Sequence, residues 1–472
     1  MRPQATVRKR KLNRKLNRKK TKKIKGGDPN SFAELEKNDL NLFKYGTFKN
    51  AISMKPIIQN SKNGFIYDIE YEIQEPLQIK HAILKSSLLK YADNLFYEYL
   101  VGIYINKLTK RYPCFIETYS LEKYNAGKYT NFQETRKYDV VSKFEPENNF
   151  LINSLSQITL SDDKNIDQAY SDACSEPTHF SILIQYLSNI LNIGDILEIK
   201  AEGGLLTFYN TIFDLMHILF QIYIPLAKLK DNFTHNDLHA GNVALYQLYG
   251  DNEYIQYNYK FGEKIVSFKS RYMVKIIDYG RSYFRESPEN NSVTIYDKIC
   301  KTISCSNCGY SSGFSKNVKN ISTDLLFFQI IKDHIKNIKT LPGLHSIDKN
   351  DYKKYNGRVT HKYINKLYKS CLENLKSMVK KLEFKDKPTN STPEILNSKR
   401  DKSGKVNKIN NVQDAADIIM EFVTQPEYKE INDFLYDSTQ KRKVTLNIDM
   451  DGEKDMTYEM AGDKDVTNEF NK

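Results

Sequence analysis

No stretch of this 472-residue chain is apolar for long enough to cross a bilayer; the best candidate, from Leu205 to Leu229, is broken by Asn210, Asp214, His217 and Gln221. No apolar segment follows the basic N-terminus, so no secretory signal is read and an intracellular location is expected. Cysteine is scarce: six in a chain of this length do not make a disulfide framework. Three of them, Cys300, Cys305 and Cys308, have a C-x4-C-x2-C spacing. A structural zinc takes four ligands, and only Cys174 or a distant histidine is left to complete the set, so free thiols are the default and metal the alternative. Tryptophan is absent, and there is no internal repeat.

Residues 1 to 25 contain neither an acidic nor an aromatic residue, yet hold thirteen Lys and Arg. The formal net charge is +13, so the remainder of the chain is close to neutral. Basicity therefore belongs to a tail and not to the fold, and the low apolar content predicts that residues 1–27 are disordered alone. Such a tail binds nucleic acid by counterion release, adheres to acidic lipid, directs nuclear import, or only solubilises. Without aromatic rings it offers no base stacking, and sequence readout is not expected.

Chemistry is concentrated in two short strings, Thr234-His235-Asn236-Asp237-Leu238-His239-Ala240-Gly241-Asn242 and Lys275-Ile276-Ile277-Asp278-Tyr279-Gly280. Either one alone reads as a polar turn whose Asp is a cap. Together, in this order, they offer a candidate base in Asp237 and two oxygen ligands for a divalent cation in Asn242 and Asp278. The five-residue offset from Asp237 to Asn242, and the short apolar strand ahead of Asp278, resemble the catalytic loop and metal-binding strand of protein kinases.

That resemblance implies a lysine on an upstream strand and a glutamate on the helix after it. His81-Ala82-Ile83-Leu84-Lys85 is similar to the family's Val-Ala-Ile-Lys strand, and a helical pattern follows with Phe96, Leu100 and Ile103 on one face and Glu98 on another. Lys85 and Glu98 are the candidate phosphate-binding pair. An exposed strand-end lysine and a solvated helix glutamate are the plainer reading, and Glu70, Glu72, Glu75 and Glu117 stand nearby. The segment from Phe180 to Leu187 reads as an apolar strand entering a hinge at Gln185, Tyr186 and Leu187, whose backbone would meet adenine.

Leu205, Phe208, Ile212, Leu215, Leu219, Ile222, Leu226 and Leu229 recur in alternate steps of three and four and predict one long core helix, kinked or restarted at Pro225. Such a helix precedes the catalytic loop in kinases. Ser322-Thr323-Asp324 predicts the cap of a buried helix; Asp324 matches the family's Asp that hydrogen-bonds the catalytic-loop backbone, or is simply an acid at a helix dipole. Alternation from Tyr254 to Tyr259 predicts that the interval from Asn242 to Asp278 is an enlarged β-hairpin ending in the metal strand.

Four features depart from the family pattern. No Gly-x-Gly-x-x-Gly precedes Lys85; Tyr45-Gly46-Thr47-Phe48 and Gly64 stand in its place. Asn236 occupies the position of an arginine that pairs with a phosphorylated loop in many regulated kinases, so that switch is not expected. No Ala-Pro-Glu closes the activation segment. His239 replaces the lysine usual in Ser/Thr kinases, a version closer to the aminoglycoside and choline phosphotransferases, and would contact the transferring phosphate.

With Tyr97-Glu98-Tyr99 and the segment from Pro113 to Tyr119 added, the chain resembles the divergent serine/threonine kinases of nucleocytoplasmic large DNA viruses over roughly residues 40 to 340. The resemblance implies a two-lobed α+β protein-kinase-like fold. A small β-sheet-plus-helix N-lobe would span residues 28–185 and a larger, mainly helical C-lobe residues 186–384. ATP and Mg2+ would bind between them, with Lys85 on the phosphates, Asn242 and Asp278 on the metal, and Asp237 as base. The implied reaction is phosphoryl transfer to a protein substrate; a small-molecule phosphotransferase and a non-catalytic virion protein are the alternatives. The implied location is host cytoplasm or nucleus, or packaging in a virion. Beyond the lobes, residues 385–411 read as a polar linker or loop, 412–436 as helices docking on the C-lobe, and 437–472 as a disordered tail.

Overall fold

The computed structural model describes residues 51–57, 64–74, 77–87, 93–125, 178–188, 190–193, 205–247, 253–297, 319–336, 361–382, 388, 392–398, 400–437, 441–452 and 455–460. The architecture is mixed α+β. Strands β1 (Ala51–Pro56), β2 (Gly64–Gln74) and β3 (Leu77–Ser87) form an antiparallel meander, followed by helix α1 (Asp93–Thr109). Strands β4 (Thr118–Asn125) and β5 (Thr178–Gln185) complete a five-stranded sheet in the order β1-β2-β3-β5-β4. The two-residue side-chain period decides its faces: Tyr67, Ile69, Ala82 and Leu84 are buried together, which turns Asp68, Glu70, His81, Ile83 and Lys85 to the opposite face.

Helix α1 is not the one-sided helix its sequence suggested. Phe96, Tyr97, Glu98, Val101, Tyr104 and Ile105 are all buried, whereas Leu100 and Ile103 are only partly so. It lies between β4 and β5 on one side and the Tyr279–Arg281 turn on another, so Glu98 is inside rather than solvated. Gly102 permits the approach to β4: a Cβ there would fall 2.6 Å from Thr118 Cβ and closer still to its Oγ1.

Next in the chain are β6 (Ile190–Asn192) and helix α2 (Leu205–Lys228), which continues through Pro225. Of the polar residues that interrupt its apolar pattern, Asp214, His217 and Gln221 are buried. Asp214 accepts from Arg271 at 2.9 Å and from the Tyr436 hydroxyl; Gln221 donates to Tyr272 O and accepts from Val274 N. His217 stacks on Phe268 at 4.5 Å. Among the described residues no helix is long and apolar enough to cross a membrane.

Strand β7 (Phe233–Thr234) leads to the first string, β8 (Val243–Tyr246) leaves it, and β11 (Met273–Ile276) delivers the second, pairing antiparallel with β8. Between them β9 (Glu253–Phe261) and β10 (Lys264–Ser270) form the expected hairpin, turning at Gly262 with φ 56°. The second string runs into β12 (Tyr283–Phe284), paired with β7, and the short helix α3 (Ser292–Tyr296). Helices α4 (Leu326–Lys336), α5 (His361–Lys380), α6 (Val412–Val423) and α7 (Pro426–Asp437) follow; α6 packs on α2, and α7 on β10. Leu121 of β4 and Ile182 of β5 join buried residues of α1, α2, β8 to β11 and the later helices, with Val444, Leu446 and Ile448, in one contiguous core.

Two expectations for the C-terminal region are corrected. The stretch after Asp437 is not simply a disordered tail: β13 (Lys441–Asp449) lies parallel to β9, and β14 (Thr457–Met460) pairs with β13, giving a four-stranded sheet β10-β9-β13-β14. Flanking charge hides the pattern, but Val444, Leu446 and Ile448 alternate inward and are buried. Nor is 385–411 a free linker where it is described. Asn320 Nδ2 donates to Thr392 O at 2.6 Å, Ile395 N to Ser322 Oγ at 3.0 Å, and Asn411 Nδ2 to Ile395 O at 2.7 Å, pinning the segment across the start of α4 and α6. The basic tail, Gly46, Cys174 and the Cys300, Cys305 and Cys308 cluster lie outside the described residues.

Candidate functional site

Strand β3 carries Lys85 on the same face as His81 and Ile83, and α1 presents Glu98 from its second turn. Lys85 Nζ lies 2.9 and 2.7 Å from the two Glu98 oxygens and 3.0 Å from Asp278 Oδ1. Burial alone would drive the proton off Lys85, but the Asp278 and Glu98 carboxylates outweigh it and hold the ammonium above its ordinary range. Burial pushes the Glu98 carboxyl up to about 7 despite the pull of Lys85. Asp278 goes the other way, held low by the Lys85 charge, and its side chain is 45% exposed.

Asp278 is also conformationally unusual. Among the described residues, the non-glycine residues with positive φ are Asn236 at 60° and Asp278 at 66°, one in each string. A side chain in this region is strained by about 1–2 kcal/mol unless its surroundings hold it, and such outliers concentrate at functional sites. The surroundings here are specific. His235 Nε2 donates to Ile277 O at 2.9 Å, and Ile277 N donates to Asn242 O at 3.1 Å. A carbonyl can only accept, so His235 carries its proton on Nε2; burial lowers its pKa and keeps the ring neutral. The Tyr279 hydroxyl accepts from Ile116 N at 2.9 Å and sits 2.9 Å from Ile276 O, tying the second string to the segment after α1.

The first string is held from below. Asp324 accepts from His235 N and Asn236 N at 2.8 Å each, and burial pushes its carboxyl up to about 7 against those two donors. The alternative of a plain dipole acid is thereby set aside. Asn236 Oδ1 accepts from Thr323 Oγ1 at 2.9 Å, and its Nδ2 donates to Arg281 O at 3.3 Å. Asn242 Nδ2 donates to Asp237 O at 2.9 Å, which closes the five-residue turn. The Asn242 carbonyl and the Asp278 carboxylate are hard oxygen donors that suit magnesium.

Asp237 is partly open, with Arg281 Nη1 3.4 Å and His239 Nε2 3.9 Å from its Oδ2. His239 Nδ1 accepts from Gly241 N at 3.0 Å, so its proton is on Nε2, facing Asp237. Gln185, expected at the hinge, ends β5; its N donates to Glu117 O at 2.9 Å and its buried side chain accepts from Glu117 N. Tyr186 stacks on His81 at 4.6 Å, and Leu187 is buried. Where a glycine-rich loop was sought, β1 and β2 are joined through residues 57–63 and Gly64 opens β2. Arg281 and the Tyr279 hydroxyl were not anticipated, because the kinase pattern ends at Gly280; the signal available was a cation next to that glycine.

The chain is 37% identical over 106 residues to a probable serine/threonine-protein kinase of Dictyostelium discoideum. Part of the chain is similar to a protein kinase. The matched stretch makes up 21% of this chain and 8% of the relative, so the chain spans a small fraction of that protein's length. No family model matches. Among solved structures the chain aligns with WaaP in complex with acyl carrier protein, covering 72% of this chain and 98% of that one at 9% identity, with a TM-score of 0.26.

Proposed function

We propose that the chain is an ATP- and Mg2+-dependent kinase that phosphorylates protein hydroxyls from a cleft between two lobes, the five-stranded sheet with α1 being the smaller. One observation carries this reading. Lys85 Nζ lies within 3.0 Å of both Glu98 and Asp278, the latter 193 positions further along the chain, and Ile277 N, next to Asp278, donates to Asn242 O of the loop that carries Asp237. In this reading Lys85, fixed by Glu98, binds the α- and β-phosphates, and the backbone of Tyr186 and Leu187 borders adenine. Asn242 and Asp278 would hold magnesium, which would supply positive charge to offset that on the phosphate oxygens. Asp237 orients the acceptor hydroxyl and takes its proton. The acceptor oxygen bonds to the γ-phosphorus as the bond to the bridging oxygen breaks, and that electron pair leaves with ADP.

The test is magnesium-dependent transfer of labelled γ-phosphate from ATP to a mixed protein acceptor pool. Asp237→Asn is expected to lose on the order of 10²-fold or more in rate while still binding ATP, the range of a general base. Asp278→Ala is expected to abolish labelling with the fold intact. Equal labelling by either variant would sink the assignment.

A further inference from the structure

The acceptor side of the site carries a cation that the proposed reaction does not use. Arg281 leaves the turn after Asp278 with its backbone fixed: its carbonyl accepts from Asn236, and the next residue, Ser282, donates from Oγ to His235 O at 3.3 Å and accepts at its carbonyl from the Tyr97 hydroxyl at 2.7 Å. The guanidinium therefore has a defined origin, and its side chain is 48% exposed. Among the described residues it makes one ion pair, to Asp237 Oδ2 at 3.4 Å, which occupies a fraction of its five donors.

His239 stands beside the same oxygen without reaching hydrogen-bond distance. Its Nδ1 accepts from Gly241 N, and its Nε2 lies 3.9 Å from Asp237 Oδ2. Asp237 Oδ2 is thus faced by the Arg281 guanidinium, leaving Oδ1 for a hydroxyl. Any acceptor brought to Asp237 passes within reach of an exposed guanidinium whose planar fork matches a carboxylate or a phosphate. Asp278 does not compete for this cation, because its Oδ1 is held by Lys85.

Resting on the kinase reading, we propose that Arg281 is an anion subsite that selects acceptors whose hydroxyl stands beside a carboxylate or phosphate. Arg281 is a specificity residue of the acceptor side and takes no part in nucleotide binding.

The experiment compares two serine peptides, one flanked by Asp and Glu and one flanked by Lys and Arg, together with glycerol 3-phosphate against glycerol, in the wild type, Arg281→Ala, Arg281→Lys and Arg281→Glu. The wild type is expected to favour the acidic over the basic peptide by at least about tenfold in kcat/KM, the worth of one charge-assisted contact. Arg281→Lys retains most of that ratio, Arg281→Ala loses it, and Arg281→Glu inverts it, with ATP affinity unchanged in all. A preference for glycerol 3-phosphate that also depends on Arg281 identifies the anion as a small-molecule phosphate. Transfer that requires Asp237 but shows the same ratios in Arg281→Glu overturns the subsite and leaves the kinase reading standing. Transfer that is indifferent to Asp237→Asn overturns the kinase reading instead. Binding of the acidic peptide in the presence of ADP and magnesium is measured alongside by titration, and equal affinity for wild type and Arg281→Glu overturns the subsite without reference to turnover.

Discussion

Replacing Lys85 by Met separates what the cation does for the fold from what it does for a nucleotide. The Glu98 side chain is 4% exposed, so its charge has no water to turn to when the ammonium is removed. Asp278 keeps its solvation, and loss of that contact costs under about 1 kcal/mol. The penalty therefore comes through Glu98. Burial raises its carboxyl from an ordinary 4.5 to about 7, so the folded state binds the proton more tightly than the unfolded chain. That contribution is fully present below about 4.5, is lost as pH rises to about 7, and is constant above. Without Lys85 the carboxyl holds its proton to still higher pH, and stability goes on falling by up to ~1.4 kcal/mol per unit where the wild type has levelled off. Lys85→Met is expected to lie within about 1 kcal/mol of wild type at pH 6 and about 2 kcal/mol below it at pH 8.5, measured by urea denaturation. In the Lys85→Met/Glu98→Gln double variant the dependence above pH 7 disappears, while ATP binding stays weak. A penalty independent of pH, or one that survives Glu98→Gln, would refute the reasoning.

Three further outcomes are expected. Gly102→Ala gains helix propensity but drives a methyl into Thr118 one turn from Glu98, so it should destabilise by about 1–3 kcal/mol and weaken ATP binding; rescue by Thr118→Gly tests the contact, and a stable, active single variant would contradict it. Asp324→Ala strips the acceptor from His235 N and Asn236 N and should cost about 2–5 kcal/mol in chemical denaturation, with Asp324→Asn costing less; equal losses would show that acceptor geometry is not the cause. Burial holds His217 at about 3 and also lowers His235, so the unfolded chain takes up protons below about 6.5 that the folded one refuses. The contribution of His217 should accordingly fall by on the order of 4–5 kcal/mol as pH drops from 6.5 toward 3, against the opposite gain from the raised Glu98 and Asp324 carboxyls, so His217→Gln should gain stability relative to wild type over that range; a wild-type-minus-variant difference that does not change with pH would rule out His217 as a source.

The features legible in the sequence were those in which local spacing and chemistry coincide. Asp237 and Asn242 sit five apart in one turn closed by a single amide, and Asp278 follows a short apolar strand, so both strings could be read without knowing the fold. Lys85 and Glu98 were legible by order along the chain. The burial of Glu98 was not, because the surfaces that cover α1 come from β5 and from the Tyr279–Arg281 turn far along the chain. The same limit applies to His217 and Gln221, which look like breaks in an apolar stripe until β10, β11 and α7 supply their partners. Strand β13 was missed because Lys441, Arg442 and Lys443 resemble tail composition and its two-residue period becomes decisive only against β9. Arg281 shows a different limit: its relation to Asp237 arises from the backbone reversal at Asp278, which no spacing encodes.

The parallel pairing of β13 with β9 sets an order of assembly. Asn258 and Asn447 face each other across it although they are 189 positions apart. A ribosome delivers β9 and β10 long before β13, and until then β9 presents one open strand edge lined by Ile255, Tyr257 and Tyr259. An apolar edge that waits for a distant partner is slow to close and prone to pair with the wrong strand. The hairpin that links Asn242 to Asp278 is therefore among the last parts of the molecule to mature, and slowing synthesis or lowering temperature during expression should raise the yield of folded chain by giving that edge time to meet β13.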